Sequence, residues 1–239
     1  MLQGIPIPDA AGSARLLATA TVRPASSLLD HARVLDSGYY NPVSSIRIRS
    51  YPTESGNLFV VYVPGTQSFQ LAGKNPLNIT SNLTAMAGRS APSQQAVEDA
   101  LEQVEAGKGD QVLFVGHSQG ALIAGNLASN PQKYEVAGLI SFGGPIGHLN
   151  LQVPVIAIEN AGDVVPGLGG KPNPMAENWV TVESDRDYPD LVSVHHMNAY
   201  LETSREMVGY ENQGLRLVLE KMPKPSTMGT ERLFEISRN

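Results

Sequence analysis

A serine flanked by two glycines, in the pattern GHSQG at 116–120, is the first feature of the sequence that could carry chemistry. The apolar run QVLFV precedes this pattern, and the small-residue run GALIAGNLA follows it, so the serine falls between a predicted strand and a predicted helix. A tight turn of this kind pushes the serine hydroxyl out toward a substrate. Gly116 and Gly120 leave space where side chains would collide with backbone. The pattern therefore predicts that Ser118 is a nucleophile.

Attack by a serine on a carbonyl carbon creates an oxyanion, which needs hydrogen-bond donors of its own. The N-terminus of the predicted helix turns free amides and its positive dipole end toward Ser118, which makes the backbone N–H of Gln119 one candidate donor. The second donor is expected from the loop after the apolar run at 57–63, which continues as PGTQSF. Thr66 is the first choice in this loop and Gln67 the second. The alternative interpretation is that the Pro-Gly pair only builds a turn.

The tight turn from strand to helix at GHSQG is called a nucleophile elbow. Folds with such an elbow have the chain order serine, acid, histidine, so the acid and the base that activate Ser118 should follow it in the sequence. Asp163 is the candidate acid, since it lies in the loop ENAGDVVP that leaves the predicted strand VPVIAIE. Glu159 is the alternative, but at the last position of that strand it is less free to reach an imidazole. Only two of the five histidines follow both the serine and the acid, so either His195 or His196 is the candidate base. The other histidines are expected to have structural roles: His31, His117 and His148.

Short apolar runs separated by helical patterns indicate that strands and helices alternate along the chain. Strands are predicted at 45–51, 57–63, 111–115, 137–142, 153–159 and 178–182. Helices are predicted from Ser26 or Ser27 to just before Gly38, from Pro92 to Gly107, and at 119–129. This alternation implies right-handed crossovers and a mostly parallel sheet, whose binding crevice lies at the carboxyl ends of its strands. Each candidate catalytic residue follows such an end.

Some segments carry more specific expectations. The run SIRIRSY at 45–51 alternates apolar and basic residues, as an exposed or edge strand would. The run NLFVVYV is apolar almost throughout, which is typical of a central strand covered on both faces. Gly38 suits a left-handed position at the end of the first helix. The stretch 64–92 is long and polar, which favours a loop at the rim of a site.

The composition excludes several classes of function. A length of 239 residues fits one domain, and 41% apolar with 17% charged residues is typical of a soluble globular protein. The net charge of −6 opposes binding to nucleic acids. The absence of cysteine excludes disulfides and thiolate chemistry, and no metal-binding motif such as HExxH is present, so neither a metal nor a cofactor is expected. No signal peptide or membrane-spanning run is seen, which predicts a cytoplasmic protein without integral membrane association.

Five motifs follow one another in a familiar order between residues 57 and 201: an apolar strand ending in PGT, then GHSQG, SFGGPIG, DVVP and HHMNAYL. This series resembles the class 3 lipases and related esterases of the α/β-hydrolase superfamily, and the glutamine of GHSQG is similar to cutinase-like and bacterial esterases. The resemblance implies that Thr66 supplies the second oxyanion contact, that Asp163 is the acid, and that the base lies five residues before a tyrosine. Tyr200 is the spacing marker, so the resemblance favours His195 as the base. The family's apolar lid helix is missing, so activation at lipid interfaces is not expected.

The sequence as a whole predicts one α/β-hydrolase domain without a large cap, with a mostly parallel central sheet and helices on both of its faces. Its expected parts are an N-terminal extension and helix at 1–44, a catalytic core at 45–222 and a C-terminal tail at 223–239. The expected function is that of a serine hydrolase that cleaves a carboxylic ester of a small or lipid-like molecule through an acyl-enzyme. The alternatives are a thioesterase or acyltransferase with the same triad, and a non-catalytic binding module.

Overall fold

The computed structural model describes residues 12–65, 90–130 and 133–238 of the chain. Eight strands are present in these ranges: β1 (Gly12–Val22), β2 (Ser45–Pro52), β3 (Asn57–Val63), β4 (Gln111–His117), β5 (Glu135–Phe142), β6 (Val155–Asn160), β7 (Trp179–Ser184) and β8 (Gly229–Arg238). Six α-helices accompany them in the same ranges: α1 (Leu28–Gly38), α2 (Ser90–Gln103), α3 (Gln119–Ser129), α4 (Leu191–His195), α5 (Met197–Glu206) and α6 (Gln213–Lys221).

The eight strands form one sheet in the order β1-β8-β2-β3-β4-β5-β6-β7. Strands β3 to β7 are parallel to one another, whereas β2 is antiparallel to both of its neighbours and β1 is antiparallel to β8. Helices α2 and α3 pack on one face of the sheet, and α1, α5 and α6 pack on the other. The expected α/β architecture, with a mostly parallel sheet between two helical layers, is therefore confirmed.

The apolar run of β3 is explained by burial on both faces of the sheet. Phe59 and Val61 belong to the cluster that includes α2 and α3, and Val60 and Tyr62 belong to the cluster that includes α1. All four side chains are buried. A strand in this position must be apolar on both sides, and β3 is central, as its sequence predicts.

The prediction of an exposed or edge strand at 45–51 is wrong. β2 lies inside the sheet, with β3 on one side and β8 on the other. Its basic residues are accommodated because Glu231 of β8 accepts hydrogen bonds from both Arg47 (2.8 Å) and Arg49 (2.7 Å). The carboxylate comes from the far end of the chain, so the alternation of β2 reflects a charged pairing rather than an exposed edge.

Both ends of the described chain extend the sheet beyond the core expected at 45–222. Residues 229–238, expected in a C-terminal tail, form β8, which is inserted between β1 and β2. Residues 12–22, expected in an N-terminal extension, form β1 at the edge of the sheet, where most of the strand is exposed. These strands exist because they pair with each other, and neither has the buried apolar run that marks β3 or β4.

Helix α1 begins as predicted and ends differently. Ser27 caps it, since its Oγ accepts a hydrogen bond from the backbone N–H of Asp30 (3.1 Å). Gly38, expected in a left-handed position, is instead the last helical residue, and Tyr39 closes the helix at φ −74°. A glycine is required there because a Cβ would lie 2.6 Å from Cγ of Pro64. The end of α1 therefore packs directly against the loop that follows β3.

Candidate active site

Ser118 lies in a strained turn between β4 and α3, at the carboxyl end of a central parallel strand. Its backbone has φ 55° and ψ −126°, and only one other non-glycine residue in the described ranges has a positive φ. The neighbouring strand β5 holds this turn, because the backbone N–H of Ser118 donates to the carbonyl oxygen of Phe142 (3.0 Å). A strained backbone at a serine is typical of a site where the geometry serves a function.

The two glycines of GHSQG are required by close packing, as the sequence predicts. A Cβ on Gly116 would lie 2.5 Å from Cα of Ala121 in the first turn of α3. A Cβ on Gly120 would lie 2.0 Å from the carbonyl oxygen of Val63, at the end of β3. Both clashes involve backbone atoms, which cannot rotate away as the end of a flexible side chain can. The turn therefore fits tightly between β3 and its own helix.

The structure brings Ser118, His195 and Asp163 together in one chain of hydrogen bonds. Oγ of Ser118 lies 2.8 Å from Nε2 of His195, and Nδ1 of His195 lies 2.7 Å from Oδ2 of Asp163. The side chains of His195 and Asp163 are only 4% and 1% exposed. Because the ionised carboxylate can only accept, Nδ1 carries the proton and Nε2 is left to accept from the serine hydroxyl. This is the tautomer that a general base needs.

The carboxylate of Asp163 is held by two further hydrogen bonds. Its Oδ1 accepts from the backbone N–H of Val165 (2.9 Å), and its Oδ2 also accepts from Oη of Tyr200 (2.5 Å). Burial raises the pKa of Tyr200 well above its usual value of 10, and the nearby charge of Asp163 raises it further, so the phenol keeps its proton and donates. Tyr200 served only as a spacing marker in the sequence, where nothing indicated this contact.

The alternative acid, Glu159, does not take part in this chain. It lies within β6, and its Oε1 accepts a hydrogen bond from Nδ2 of Asn173 (2.6 Å). Burial raises the pKa of the Glu159 carboxyl above its usual value, although its hydrogen bond with Asn173 acts in the opposite direction. The structure thus places Asp163, and not Glu159, in hydrogen-bond contact with His195.

Asn160 is a site residue that the sequence analysis missed. Its side chain is buried, its Nδ2 donates to the carbonyl oxygen of Val194 (3.0 Å), and its Oδ1 accepts from Oγ1 of Thr203 (2.6 Å). The backbone carbonyl of Asn160 also accepts from the N–H of Asp163 (3.0 Å). Asn160 therefore joins the segment that carries the acid to the segment that carries His195. An asparagine at a strand end is ordinary in a sequence, so no local signal marks it.

The two adjacent histidines have different environments. His195 ends the short helix α4, which begins at Leu191. The carboxylate of Asp190, just before the helix, caps its first amides. His196 begins α5, and its Nδ1 accepts from the backbone N–H of Asn198 (3.3 Å). The ring of His196 thus serves as a helix cap, while the ring of His195 faces Ser118.

The remaining histidines differ from one another in their contacts. The ring of His117 is buried and stacks on His195, with 5.1 Å between ring centroids. Burial lowers the pKa of His117 well below its usual value of 6.5, so this imidazole is neutral. His31, in α1, contacts Oη of Tyr62 at 2.9 Å, whereas His148 is exposed. Structural roles are thus supported for His117 and His31 only.

The candidate oxyanion donors are described only in part. Gln119 is the first residue of α3, so its backbone N–H belongs to the helix N-terminus beside Ser118. Thr66 and Gln67 lie outside the described residues. Gly65, which precedes them, is pressed against the elbow, because a Cβ on it would lie 3.0 Å from Cβ of Ser118. A cavity of about 390 Å³ adjoins Gly65 and Gln119 and extends between α2 and α3.

Metal-binding clusters and membrane-spanning helices are both absent from the described part of the chain. In the ranges 12–65, 90–130 and 133–238, no three histidine, aspartate or glutamate side chains are grouped so that they could hold a metal ion. Among the helices of these ranges, none has both the length and the apolar character that crossing a membrane requires.

Comparisons with known proteins add no functional assignment to this geometry. No model of a known protein family matches the sequence, and no curated protein matches it significantly. The function must therefore be inferred from the arrangement of the site itself.

Proposed function

We propose that the protein is a serine hydrolase of the α/β-hydrolase fold that cleaves carboxylic esters through Ser118. The observation that carries this proposal is the continuous chain of hydrogen bonds from Oγ of Ser118 through His195 to Asp163, with contacts of 2.8 Å and 2.7 Å. Each of the three side chains is buried, and their hydrogen-bond order is the one that acyl transfer requires.

The order of the elements supports the finer fold assignment. The serine follows β4, the acid follows β6, and the histidine follows β7, and all three strands are parallel. Groups delivered at the carboxyl ends of parallel strands meet at one edge of the sheet. The chain order of serine, acid and histidine is the order of the α/β-hydrolases, and it differs from that of other serine hydrolase folds.

The proposed reaction has two steps. Oγ of Ser118 attacks the ester carbonyl while Nε2 of His195 takes its proton, and His195 then gives that proton to the leaving alcohol, which leaves an acyl group on the serine. In the second step His195 takes a proton from water as the water attacks the acyl-enzyme, and the released serine oxygen recovers the proton. Asp163 stabilises the imidazolium in both steps. The backbone N–H of Gln119 donates to the oxyanion, and one such donor contributes about 2.7–4 kcal/mol to lowering the barrier.

The cavity that adjoins Gln119, the residue after Ser118, is a guide to the size of substrate that fits. Its volume of about 390 Å³ lies in the range of small-molecule sites. Apolar side chains of Ala96 and Ile123 and polar groups of Ser93 and Gln119 share its wall. We therefore expect an ester with a short or medium acyl chain to be the best substrate, which a series of p-nitrophenyl esters graded by chain length will measure.

A fluorophosphonate probe, which reacts with activated serines, tests the proposal directly. The native protein should be labelled, and Ser118→Ala should abolish both labelling and ester cleavage. Ser129→Ala is a matched control, because Ser129 ends the same helix and its Oγ donates to the carbonyl oxygen of Gly125 (2.9 Å), away from the site. A folded native protein that is neither labelled nor active would overturn the proposal.

The two histidines provide a second matched pair. His195→Ala should abolish ester cleavage, because the serine hydroxyl then has no group to accept its proton. His196→Ala should retain most of the activity and lose only stability, because it removes a helix cap, which costs about 1 kcal/mol. Equal losses of activity in the two variants would contradict the assignment of His195 as the base.

A further inference from the structure

A second series of hydrogen bonds lies next to the Ser118–His195–Asp163 series. It involves side chains that have no part in the proposed reaction. The backbone N–H of Gly65 donates to Oη of Tyr39 (2.6 Å), and the Tyr39 hydroxyl contacts Nδ1 of His117. Nε2 of His117 contacts the backbone carbonyl oxygen of His195 at 3.0 Å. The chain thus crosses from the loop after β3 to the end of α4, behind Ser118.

Each proton in this chain has a defined place. A carbonyl oxygen can only accept, so Nε2 of His117 carries its proton and donates to His195. The neutral ring then has an unprotonated Nδ1, which accepts from the hydroxyl of Tyr39. The oxygen of Tyr39 is left to accept from the N–H of Gly65. Each donor in this series of hydrogen bonds therefore has an acceptor, and only one assignment of the protons achieves this.

This series of hydrogen bonds connects three segments whose relative positions matter for the proposed reaction. Gly65 lies against Cβ of Ser118 and directly precedes Thr66, the expected source of the second oxyanion donor. His117 is part of the elbow and stacks on the ring of His195. Tyr39 is itself anchored, because it closes α1 where Gly38 packs against Pro64.

We propose that Tyr39 and His117 form a positioning pair that fixes Gly65, at the end of the described segment after β3, and the base His195 relative to Ser118, so that the turnover rate depends on this pair. The inference rests on the proposed function, since it concerns the same site. Neither side chain touches the reacting atoms. Their effect is exerted through the backbone of Gly65 and of His195, and displacements of about 1 Å in such groups can cost on the order of 100-fold in rate.

The test compares two Tyr→Phe variants that each remove one tyrosine–histidine hydrogen bond. Tyr39→Phe breaks the positioning pair, and Tyr62→Phe breaks the contact of Tyr62 in β3 with His31 in α1 (2.9 Å), which does not involve Gly65 or His195. Tyr39→Phe also removes the acceptor of the Gly65 N–H, so it should lower the melting temperature at least as much as Tyr62→Phe does. Tyr39→Phe should lower kcat about 10- to 100-fold with less than a threefold change in KM, because binding does not require the pair. Tyr62→Phe should keep kcat within about twofold of the native value.

Variants of His117 provide a second, independent measurement. His117→Gln retains an amide donor for the carbonyl of His195 and an acceptor for Tyr39, so it should recover most of the kcat that His117→Leu loses. Combining His117→Leu with Tyr39→Phe should lower kcat no further than either change alone, because groups that act as a unit are not additive. If Tyr39→Phe does not fold, the comparison between the two His117 variants decides the question.

The outcomes separate this inference from the proposed function. If the native protein cleaves esters through Ser118 but Tyr39→Phe and Tyr62→Phe have equal kcat, the positioning pair is refuted and the proposed function stands. Equal kcat values for His117→Gln and His117→Leu would refute it in the same way. If the native protein has no serine-dependent activity, both proposals fall together.

Discussion

Replacing Ser118 by glycine should leave the folded protein more stable than replacing it by alanine. Both substitutions remove Oγ and its hydrogen bond to His195, so the difference between them depends on Cβ alone. At φ 55° and ψ −126° a Cβ is strained, whereas a glycine adopts this conformation freely. The ranking of the two variants therefore reports the strain that the native turn holds at its serine.

The expected difference follows from two opposing contributions. A non-glycine residue in a sparsely populated backbone region costs about 1–3 kcal/mol in the folded state. Glycine gives the unfolded chain more conformational entropy, which lowers stability by about 0.4–1 kcal/mol. The net advantage of Ser118→Gly is thus about 1 kcal/mol, which corresponds to a melting temperature about 2–4 °C higher for a chain of this size.

The free energy of unfolding in urea and the melting temperature of both variants measure this difference. Ser129 provides the control, because it ends the same helix with an ordinary negative φ. There Ser129→Ala should be more stable than Ser129→Gly, by up to about 1 kcal/mol. The ranking should therefore reverse between the two positions. If alanine is at least as stable as glycine at both positions, Ser118 is not strained and the reasoning is refuted.

Four other changes test the parts of the site and of the fold. Asp163→Asn should lower kcat on the order of 10⁴-fold without unfolding the protein, since an amide favours the wrong tautomer of His195; ester kinetics with circular dichroism check this. Tyr200→Phe should lower the free energy of unfolding by about 1.5–3 kcal/mol, the contribution of a hydrogen bond to a charged group, and an unchanged urea midpoint would contradict it. Burial lowers the pKa of His31 to about 4, so the unfolded chain binds its proton first and stability should fall as the pH drops from 6.5 toward 4. His31→Asn should flatten that dependence in urea midpoints taken at pH 7 and pH 5. Removal of residues 223–239 should prevent folding, seen as loss of circular dichroism, because β2 would lose its partner strand β8.

The reactive centre could be predicted from the sequence because its constraints are local. The elbow at Ser118 requires an apolar strand, two glycines and a helix within a few residues, and all of them are adjacent in the chain. Chain order then reduces the base to two candidates, and the additional requirement for a position at a strand's end reduces the acid to two. Geometry distinguishes between those candidates, since Glu159 points toward Asn173 and His196 caps α5. Local sequence therefore narrows the candidate residues, and tertiary structure shows which of them lie together.

The edge of the sheet could not be predicted in the same way, because its strands depend on partners far along the chain. β1 and β8 have no buried apolar run of their own, and they exist as strands through pairing with each other. The alternating pattern of β2 is compatible with an exposed strand, and also with an inner strand whose arginines meet a carboxylate. The contact of Glu231 with these arginines, which only the tertiary structure shows, decides between the two alternatives.

The residues that sequence reasoning missed share a physical property. Asn160, Tyr39 and Tyr200 act through one or two hydrogen bonds to other segments, and each is of a residue type that is common outside active sites. A nucleophile must be one of a few residue types in a narrow setting, whereas a positioning residue needs only one polar atom at the right distance. The distance between this polar atom and its hydrogen-bond partner depends on how the loops after three separate strands pack together. Such residues can therefore be identified only from the tertiary structure. We therefore expect the largest unexplained losses of turnover, in a mutational scan, at buried polar residues that bridge these loops.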